Sequence, residues 1–268
     1  MKKFLKGVVR SSVIQISKIF NIDVNIAIAS KKHKTDFVFV DRNTLESFYN
    51  LDDGVARYKE GLKRSGMEET DNFLKQCRYY RLQELLKSTL DKGIVGSVVE
   101  CGCWKGHSSY IIADILSKYN YEGKFSIFDS FEMGLSDKHP KDNNIRHELS
   151  EEDVQKEKKQ FASECGELHH VLKSFNFYKI YKGWIPDRFN EIENENFIFV
   201  HIDVDLYQPT LDSLNFFYPR MRKGGVIVID DYGYTQFPGA KKCVDEFIDK
   251  NKCSLFFAGS TGGCFIIK

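Results

Sequence analysis

Short apolar runs alternate with amphipathic segments along most of this chain. Five runs predict β-strands, at residues 97–100, 124–128, 177–181, 197–202 and 225–229. Apolar residues at helical spacing predict helices at residues 71–90 and 107–119, and a further helix follows Pro238-Gly239 and runs to about residue 250. This alternation predicts an α/β fold with a doubly wound, mainly parallel sheet.

The C-terminal segment predicts a closing hairpin. Residues 255–257 and 264–267 are apolar, and the Gly-rich stretch 259–263 separates them. The hairpin would complete a seven-stranded sheet and add antiparallel pairing to it. Residues 134–148 are rich in Asp, Lys, His and Asn and predict a long mobile loop, with a helix capped by Ser150 after it.

The first 70 residues give weaker signals. We expect them to form an N-terminal extension to a domain that spans residues 71–268, with short strands at 22–28 and 37–40. Before these strands, apolar residues at helical spacing alternate with lysines and Arg10 and predict an amphipathic helix. Two placements stay open for this helix: peripheral contact with a membrane surface, or packing on its own domain or a partner subunit.

Composition excludes several classes of protein. The formal net charge of the 268 residues is +1, which argues against a dedicated nucleic-acid binder. No run of 18 apolar residues is present, so no transmembrane helix is expected. The seven cysteines are scattered and odd in number, which predicts reduced thiols in a cytoplasmic protein.

Three aspartates are the strongest chemical signal. Asp203 directly follows the fourth predicted strand, and Asp230 and Asp231 follow the fifth. Two parallel strands joined by a crossover helix would bring these carboxylates to the same edge of the sheet. Three carboxylates in a small space need a cation or protons between them, and an oxygen-only ligand set favours Mg²⁺, Mn²⁺ or Ca²⁺ over zinc.

A second candidate site follows the first predicted strand, which ends in Glu100. Gly102 and Gly106 come next, in a Gly-x-x-x-Gly spacing that differs from the Gly-x-Gly-x-x-Gly of dinucleotide sites. An acid at this point would repel a pyrophosphate and suits a cationic ligand such as S-adenosylmethionine. Asp129 ends the second strand, where an acid commonly binds a ribose. The alternatives are a plain strand–helix turn and a capping aspartate.

Three further features remain open on sequence grounds. His201 projects from the same strand face as Asp203 and is either a base, a substrate contact or a hydrogen-bonded structural histidine. Asp205 either holds the loop or contacts substrate. Cys101 and Cys103 have no second Cys or His pair to complete a zinc site.

Five motifs in this order resemble the macrocin O-methyltransferase family, of the TylF/MycF type. They lie at residues 98–106, 128–132, 182–187, 201–207 and 224–233. The resemblance spans about residues 73–250. It implies a Rossmann-like, class I, S-adenosylmethionine-dependent O-methyltransferase that needs Mg²⁺ and methylates sugar hydroxyls.

The resemblance also implies roles for individual residues. Asp203, Asp230 and Asp231 would bind Mg²⁺, and Asp203 would also be the catalytic base. The cofactor-binding set would consist of Arg78, Glu100, Gly102, Gly106, Ser108, Asp129, Ser130 and Phe131. Of these, Glu100 and the two glycines would lie at the methionine and sulfonium end, and Asp129 would bind the ribose. A homodimer is implied as well, with the N-terminal helix as a candidate contact.

The acceptor is the least determined part of this interpretation. Residues 134–176 would form the lid over the acceptor and are rich in lysine and glutamate, a departure from the family pattern. We therefore expect a sugar in a bacterial glycan or glycosylated metabolite, with a role in polysaccharide biosynthesis. Three alternatives remain: a catechol-type acceptor, a nicotinamide-dependent oxidoreductase on a similar sheet, and a catalytically silent metal-binding scaffold.

Overall fold

The structure is a computed structural model, and it describes residues 53–143 and 151–268. The chain divides into two compact units, Met1–Val55 and Ala56–Lys268. The expected N-terminal helix, the expected strands at 22–28 and 37–40, and the expected cap at Ser150 lie outside the described residues. The fold below is that of the second unit.

A seven-stranded sheet forms the centre of this unit, in the order β3-β2-β1-β4-β5-β7-β6. The strands are β1 (Ser97–Cys101), β2 (Phe125–Asp129), β3 (Tyr178–Lys182), β4 (Phe197–Ile202), β5 (Met221–Ile229), β6 (Leu255–Ala258) and β7 (Cys264–Ile267). Strands β1 to β5 are parallel, and β7 pairs antiparallel with both β5 and β6. The predicted α/β fold with an antiparallel C-terminal hairpin is confirmed.

Helices cover both faces of the sheet. In the described residues they are α1 (Gly54–Arg64), α2 (Phe73–Asp91), α3 (His107–Lys118), α4 (Glu151–Gln160), α5 (Cys165–Val171), α6 (Tyr207–Arg220) and α7 (Pro238–Lys250). Single 3₁₀ turns lie at Glu68–Thr70, Phe131–Met133, Pro140–Asp142 and Phe189–Ile192.

The central strands are mostly apolar because both of their faces are covered. Successive residues of β1 enter opposite layers: Val98 packs in the layer of α2 and α3, whereas Val99 packs in the layer of α6 and α7. All six residues of β4 are buried. This two-sided burial explains why the strands read as continuous apolar runs rather than as alternating ones.

The second unit begins before residue 71, the boundary suggested by the sequence. Tyr58, Leu62 and Met67 are buried in the same core cluster as β1 and α3. Tyr58 and Leu62 lie four residues apart on α1, and Met67 follows that helix; charged residues between them dilute the apolar signal.

Candidate active site

The three aspartates meet at the carboxyl edge of the sheet. Strands β4 and β5 are neighbours and parallel, with Ile202 opposite Ile229, so Asp203 and Asp230 leave the sheet side by side. One carboxylate oxygen from each of Asp203, Asp230 and Asp231 lies within 4.8 Å of the others. The proximity expected from the sequence is therefore present.

Burial makes it unfavourable for all three carboxylates of this cluster to be ionised. Asp230 and Asp231 are buried and Asp203 is half-buried. Desolvation raises the pKa of Asp203, against the opposing effect of His201 and Arg78. Desolvation also raises the pKa of Asp231 well above its usual value, and the charges of Asp205 and Asp203 add to this effect.

Arg78 of α2 supplies a positive charge to the cluster by forming an ion pair with Asp230. Its guanidinium also lies over the ring of Tyr234, 5.0 Å from the centroid. Three ionised carboxylates and one guanidinium leave two negative charges, which one divalent cation would balance. Arg78 was predicted as a cofactor contact, and the structure places it at the acid cluster.

Asp205 holds the loop after β4. Its backbone has a left-handed φ of 60°, and its N–H donates to Asp231 Oδ2 over 2.8 Å. Of the two alternatives left open by the sequence, the structure therefore gives Asp205 a structural contact, while its side chain also lines the neighbouring cleft.

A cleft adjoins the acid cluster and is formed by the loops after four parallel strands. It is lined by Gly102 and Trp104, residues 128–130, residues 183–185, residues 203–205, residues 134–136, Phe161 and Pro209. Its empty volume is about 750 Å³ with the open mouth included. The described lining contains three aspartates and no cationic side chain. This charge distribution suits a cationic ligand and opposes a pyrophosphate.

Asp129 combines a structural contact with a position in the cleft. Its Oδ2 accepts the N–H groups of Cys103 (2.7 Å) and Trp104 (2.9 Å), and its Oδ1 accepts that of Phe131 (2.6 Å). A carboxylate has about four acceptor positions, so this one keeps capacity for a ribose hydroxyl. Burial raises the pKa of Asp129, although the three N–H bonds act in the opposite direction.

Close packing requires glycine at both motif positions, Gly102 and Gly106. A Cβ on Gly102, which has a φ of +81°, would lie 1.8 Å from the Asp203 carbonyl oxygen. A Cβ on Gly106, at φ +83°, would lie 2.6 Å from Leu168 Cδ1. Gly102 lines the cleft, whereas Gly106 is the N-cap of α3 beneath α5.

Glu100 is completely buried below the cleft. Ser109 Oγ donates to one of its carboxylate oxygens, and His201 Nδ1 lies 3.1 Å from the other. His201 is thus a hydrogen-bonded, buried histidine, one of the three roles considered for it.

The remaining predicted cofactor residues differ in their exposure to the cleft. Ser130 lines it and donates its Oγ–H to Gly134 O over 2.5 Å. Phe131 is buried in the core, and its contact with Asp129 comes from its backbone N–H. Ser108 is buried and hydrogen-bonded to the hydroxyl of Tyr79.

Sequence reasoning missed the aromatic side chains of the cleft. Trp104, Phe161 and Trp184 line it, and the Trp104 and Phe161 ring centroids are 6.0 Å apart. The indole Nε1 of Trp104 is buried and has no hydrogen-bond partner among the described residues. A buried donor without an acceptor indicates a site for a ligand's acceptor group. The sequence feature that could have identified Trp104 as a cleft residue is its position between the two motif glycines.

All seven cysteines are free thiols in the structure. None of the described helices is long and apolar enough to cross a membrane.

Comparison with known proteins gives consistent matches. The family model described as Macrocin-O-methyltransferase (TylF) matches residues 34–255. A mycinamicin III 3''-O-methyltransferase of Micromonospora griseorubida is 27% identical over 189 residues, which cover 66% of this chain and 70% of that protein. A demethyldecarbamoylnovobiocin O-methyltransferase of Streptomyces niveus is 23% identical over 226 residues, covering 78% and 80%.

The name of a third relative contains a rhamnosyl group. This 8-demethyl-8-(2,3-dimethoxy-alpha-L-rhamnosyl)-tetracenomycin-C 4'-O-methyltransferase of Streptomyces olivaceus is 28% identical over 168 residues, covering 58% of this chain and 60% of that protein.

Solved structures share the fold. The O-methyltransferase NovP superimposes with a TM-score of 0.55 at 19% identity, over 70% of this chain and 78% of that one. The calicheamicin methyltransferase CalS11 gives a TM-score of 0.55 at 17% identity, over 89% and 99%.

Proposed function

Because the chain belongs to the macrocin-O-methyltransferase family, we propose that it methylates a sugar hydroxyl with the help of Mg²⁺. O-methyl transfer from S-adenosylmethionine is the activity of the family, and the acceptor and metal are our proposal. One observation carries it: three carboxylates converge within 4.8 Å beside a cleft whose described lining is acidic and aromatic.

The donor set of the acid cluster fits a hard divalent cation. Asp203, Asp230 and Asp231 offer oxygen ligands only, and their charge together with that of Arg78 calls for two positive charges. A bound Mg²⁺ would supply Lewis acidity, which lowers the pKa of an oxygen that it contacts.

Asp203 is the acid best placed to be the general base. It is the member of the cluster that also lines the cleft, and it is half-buried where the other two are buried. Its carboxylate would take the proton of the acceptor hydroxyl while that oxygen bonds to the methyl carbon. The bond between this carbon and sulfur breaks in the same step, and the products are the methyl ether and S-adenosylhomocysteine.

Gly102, Asp129 and Ser130 are proposed to hold the cofactor, because they line the cleft. For Glu100, Gly106, Ser108 and Phe131 we propose an indirect role, since each is buried against other parts of the chain. Asp129 would bind the ribose through its remaining acceptor positions.

A sugar acceptor is favoured by the names of the relatives, one of which contains a rhamnosyl group. We propose a sugar of a bacterial glycan or glycosylated metabolite. We also propose a cytoplasmic homodimer: the free state of all seven thiols supports a reducing compartment, and light scattering on the purified protein would test the dimer.

The test is methyl transfer from S-adenosylmethionine labelled in its methyl group. Purified protein is incubated with deoxysugar glycosides, hexose glycosides and catechols, in excess EDTA and again with Mg²⁺ added. We expect label in a glycoside, loss of transfer in EDTA and recovery with Mg²⁺. Transfer to catechols alone would favour the catechol alternative. Transfer unaffected by EDTA would exclude the metal, and absence of transfer to any acceptor with intact cofactor binding would favour a silent scaffold.

A further inference from the structure

A buried lysine on the first turns of α2 is not used by the mechanism above. The Lys75 side chain is 6% exposed. Its Nζ donates a hydrogen bond to Thr70 Oγ1 over 2.7 Å and lies 5.7 Å from the ring centroid of Tyr79. The Thr70 hydroxyl donates in turn to Met67 O over 2.7 Å, so the partner of the ammonium is a neutral group.

An ammonium has three donors, and this one uses one of them within the described part of the chain. The neighbouring carboxylate of Asp71 is engaged elsewhere: it accepts from Tyr58 Oη over 2.7 Å and from Gln76 Nε2 over 3.1 Å. Burial lowers the pKa of Lys75 to about 8, and Arg78 adds to that effect. A buried cation with a neutral partner is costly unless an anion pairs with it.

The position of Lys75 relates it to the acid end of the cleft. Helix α2 packs over β4 and β5, and the charge of Asp203 acts on the Lys75 ammonium. Asp129 and Asp203 follow strands on either side of β1, which puts them about two strand spacings, roughly 10 Å, apart. Arg78, about one turn further along α2, pairs with Asp230. The first turns of α2 therefore lie at the carboxyl edge of the sheet, where the methionine end of a cofactor whose ribose is at Asp129 would be held.

We propose that the Lys75 ammonium binds the carboxylate of the methionine moiety of S-adenosylmethionine. This carboxylate is the anionic group of the cofactor, and the described residues that line the cleft offer it no cation. Arg78 is the other cation on this part of α2, and it is paired with Asp230. The proposal rests on the cofactor of the proposed function and is independent of the metal and of the acceptor.

A different role would be to balance the charge of Asp203 without contacting the cofactor. The two roles differ in one measurable respect. A lysine that binds the carboxylate distinguishes cofactors with and without that group, whereas a charge-balancing lysine affects both cofactors alike.

Isothermal titration calorimetry with two ligands separates these cases. The ligands are S-adenosylmethionine and decarboxylated S-adenosylmethionine, which keeps the sulfonium and the amine. The variants are Lys75→Met, which keeps the length of the side chain, and Lys75→Arg, which keeps the charge. Lys92→Met is the matched control, because Lys92 is exposed at the end of the same helix. Thermal melting checks that each variant is folded.

We expect the wild-type protein to bind the intact cofactor on the order of 10- to 100-fold more tightly than the decarboxylated one, the range for a charge-assisted hydrogen bond. Lys75→Met should lose this preference through weaker binding of the intact cofactor alone. Lys75→Arg should restore part of it, and Lys92→Met should match the wild type.

Two results would overturn the assignment. One is a wild-type protein that binds both ligands equally, a comparison that needs no variant. The other is a Lys75→Met protein that weakens both ligands by the same factor. A wild-type protein that binds neither ligand would instead contradict the proposed function itself.

Discussion

Gly102 connects the packing of the strand ends with the position of Asp203, the proposed base. Its N–H donates to Phe128 O over 2.8 Å, and the Asp203 N–H donates to Cys101 O over 2.8 Å, so the loops after β1, β2 and β4 are held together. The space that a side chain would need is filled by the Asp203 carbonyl. The backbone of the proposed base therefore depends on a residue that has no side chain.

Gly102→Ala should destabilise the protein and displace Asp203. Positive φ and the overlap with the Asp203 carbonyl together predict a loss of about 2–5 kcal/mol in the free energy of unfolding. Urea unfolding measures this loss. Gly166→Ala is the matched control: a Cβ there meets nothing within 4 Å, and the residue lies in α5. Equal stability of the two variants would contradict the close approach at Gly102.

Asp203→Asn should separate catalysis from cofactor binding. The amide keeps the size of the side chain but does not act as a base, and general-base catalysis contributes about 10²–10⁴-fold. We expect kcat to fall by a factor in this range at saturating Mg²⁺. The dissociation constant of S-adenosylhomocysteine should stay within about threefold of wild type, because the shape of the side chain changes little. Asp249→Asn, on the exposed surface of α7, controls for the loss of a carboxylate. A near-wild-type rate would remove Asp203 from the base role.

At the level of elements, the buried central strands were the easiest to predict. β4 has the predicted bounds, because burial on both faces makes all of its positions but His201 apolar. α7 was predicted to follow Pro238-Gly239 and instead begins at Pro238, because proline suits the first turn of a helix. α1 and the seven-residue α5 were missed, because charged residues dilute the apolar pattern of α1 and α5 is too short to show a helical period.

The described part of the loop predicted at residues 134–148 is anchored. Asp142 Oδ1 accepts the Tyr207 N–H over 2.8 Å, and its Oδ2 accepts the His139 N–H over 2.9 Å. Lys141 Nζ donates to Tyr207 Oη over 2.8 Å and forms an ion pair with Glu246. These contacts tie the turn Pro140–Asp142 to α6 and α7, and they depend on tertiary partners that a single sequence does not reveal.

Asp142→Ala should release this turn. The buried Tyr207 N–H and the partly buried His139 N–H would lose their acceptor, at a cost of about 1–3 kcal/mol for the buried group. We expect faster hydrogen exchange at residues 139–143 and at the Tyr207 amide, with the amides of β1 and β4 unchanged. Mass spectrometry of the exchanging protein resolves the two regions. Uniformly faster exchange across the sheet would show a global effect rather than release of the turn.

For the molecule as a whole, the sequence predicted the proximity of the three aspartates but missed the aromatic residues that line the cleft. Asp203, Asp230 and Asp231 follow strand ends, and the geometry of a parallel sheet alone brings such positions together. Contacts such as Trp104 and Phe161 depend on how loops and the segment after α4 fold over the sheet, which no local pattern specifies. Glu100 was predicted to contact the cofactor because it lies at a strand end. In the structure its hydrogen-bond partners are Ser109 and His201 of the same chain.

The contribution of the acid cluster to the stability of the metal-free protein should fall as pH rises. The pKa values of Asp203 and Asp231 are raised in the folded state, so the folded protein holds protons that the unfolded chain has released. Their contribution is fully present below the unfolded pKa and is lost as pH rises through the folded pKa. Mg²⁺ would replace these protons, so the difference in Tm between Mg²⁺ and EDTA should widen with increasing pH.

Melting curves from pH 5 to 9 measure this difference, and Asp231→Asn is the control because it removes both the carboxyl group that titrates and a proposed ligand. We expect the widening to be reduced or lost in the variant. A difference in Tm that is independent of pH in the wild type would contradict proton–metal exchange at this cluster.

The most direct test of the central claim is a crystal structure of the protein with S-adenosylhomocysteine and Mn²⁺. Mn²⁺ takes the place of Mg²⁺ because its anomalous scattering identifies the ion. The account predicts one anomalous peak in contact with the carboxylates of Asp203, Asp230 and Asp231, next to the sulfur of the bound cofactor product. Cofactor density in the cleft without a peak at these carboxylates, or a peak bound elsewhere, would contradict it.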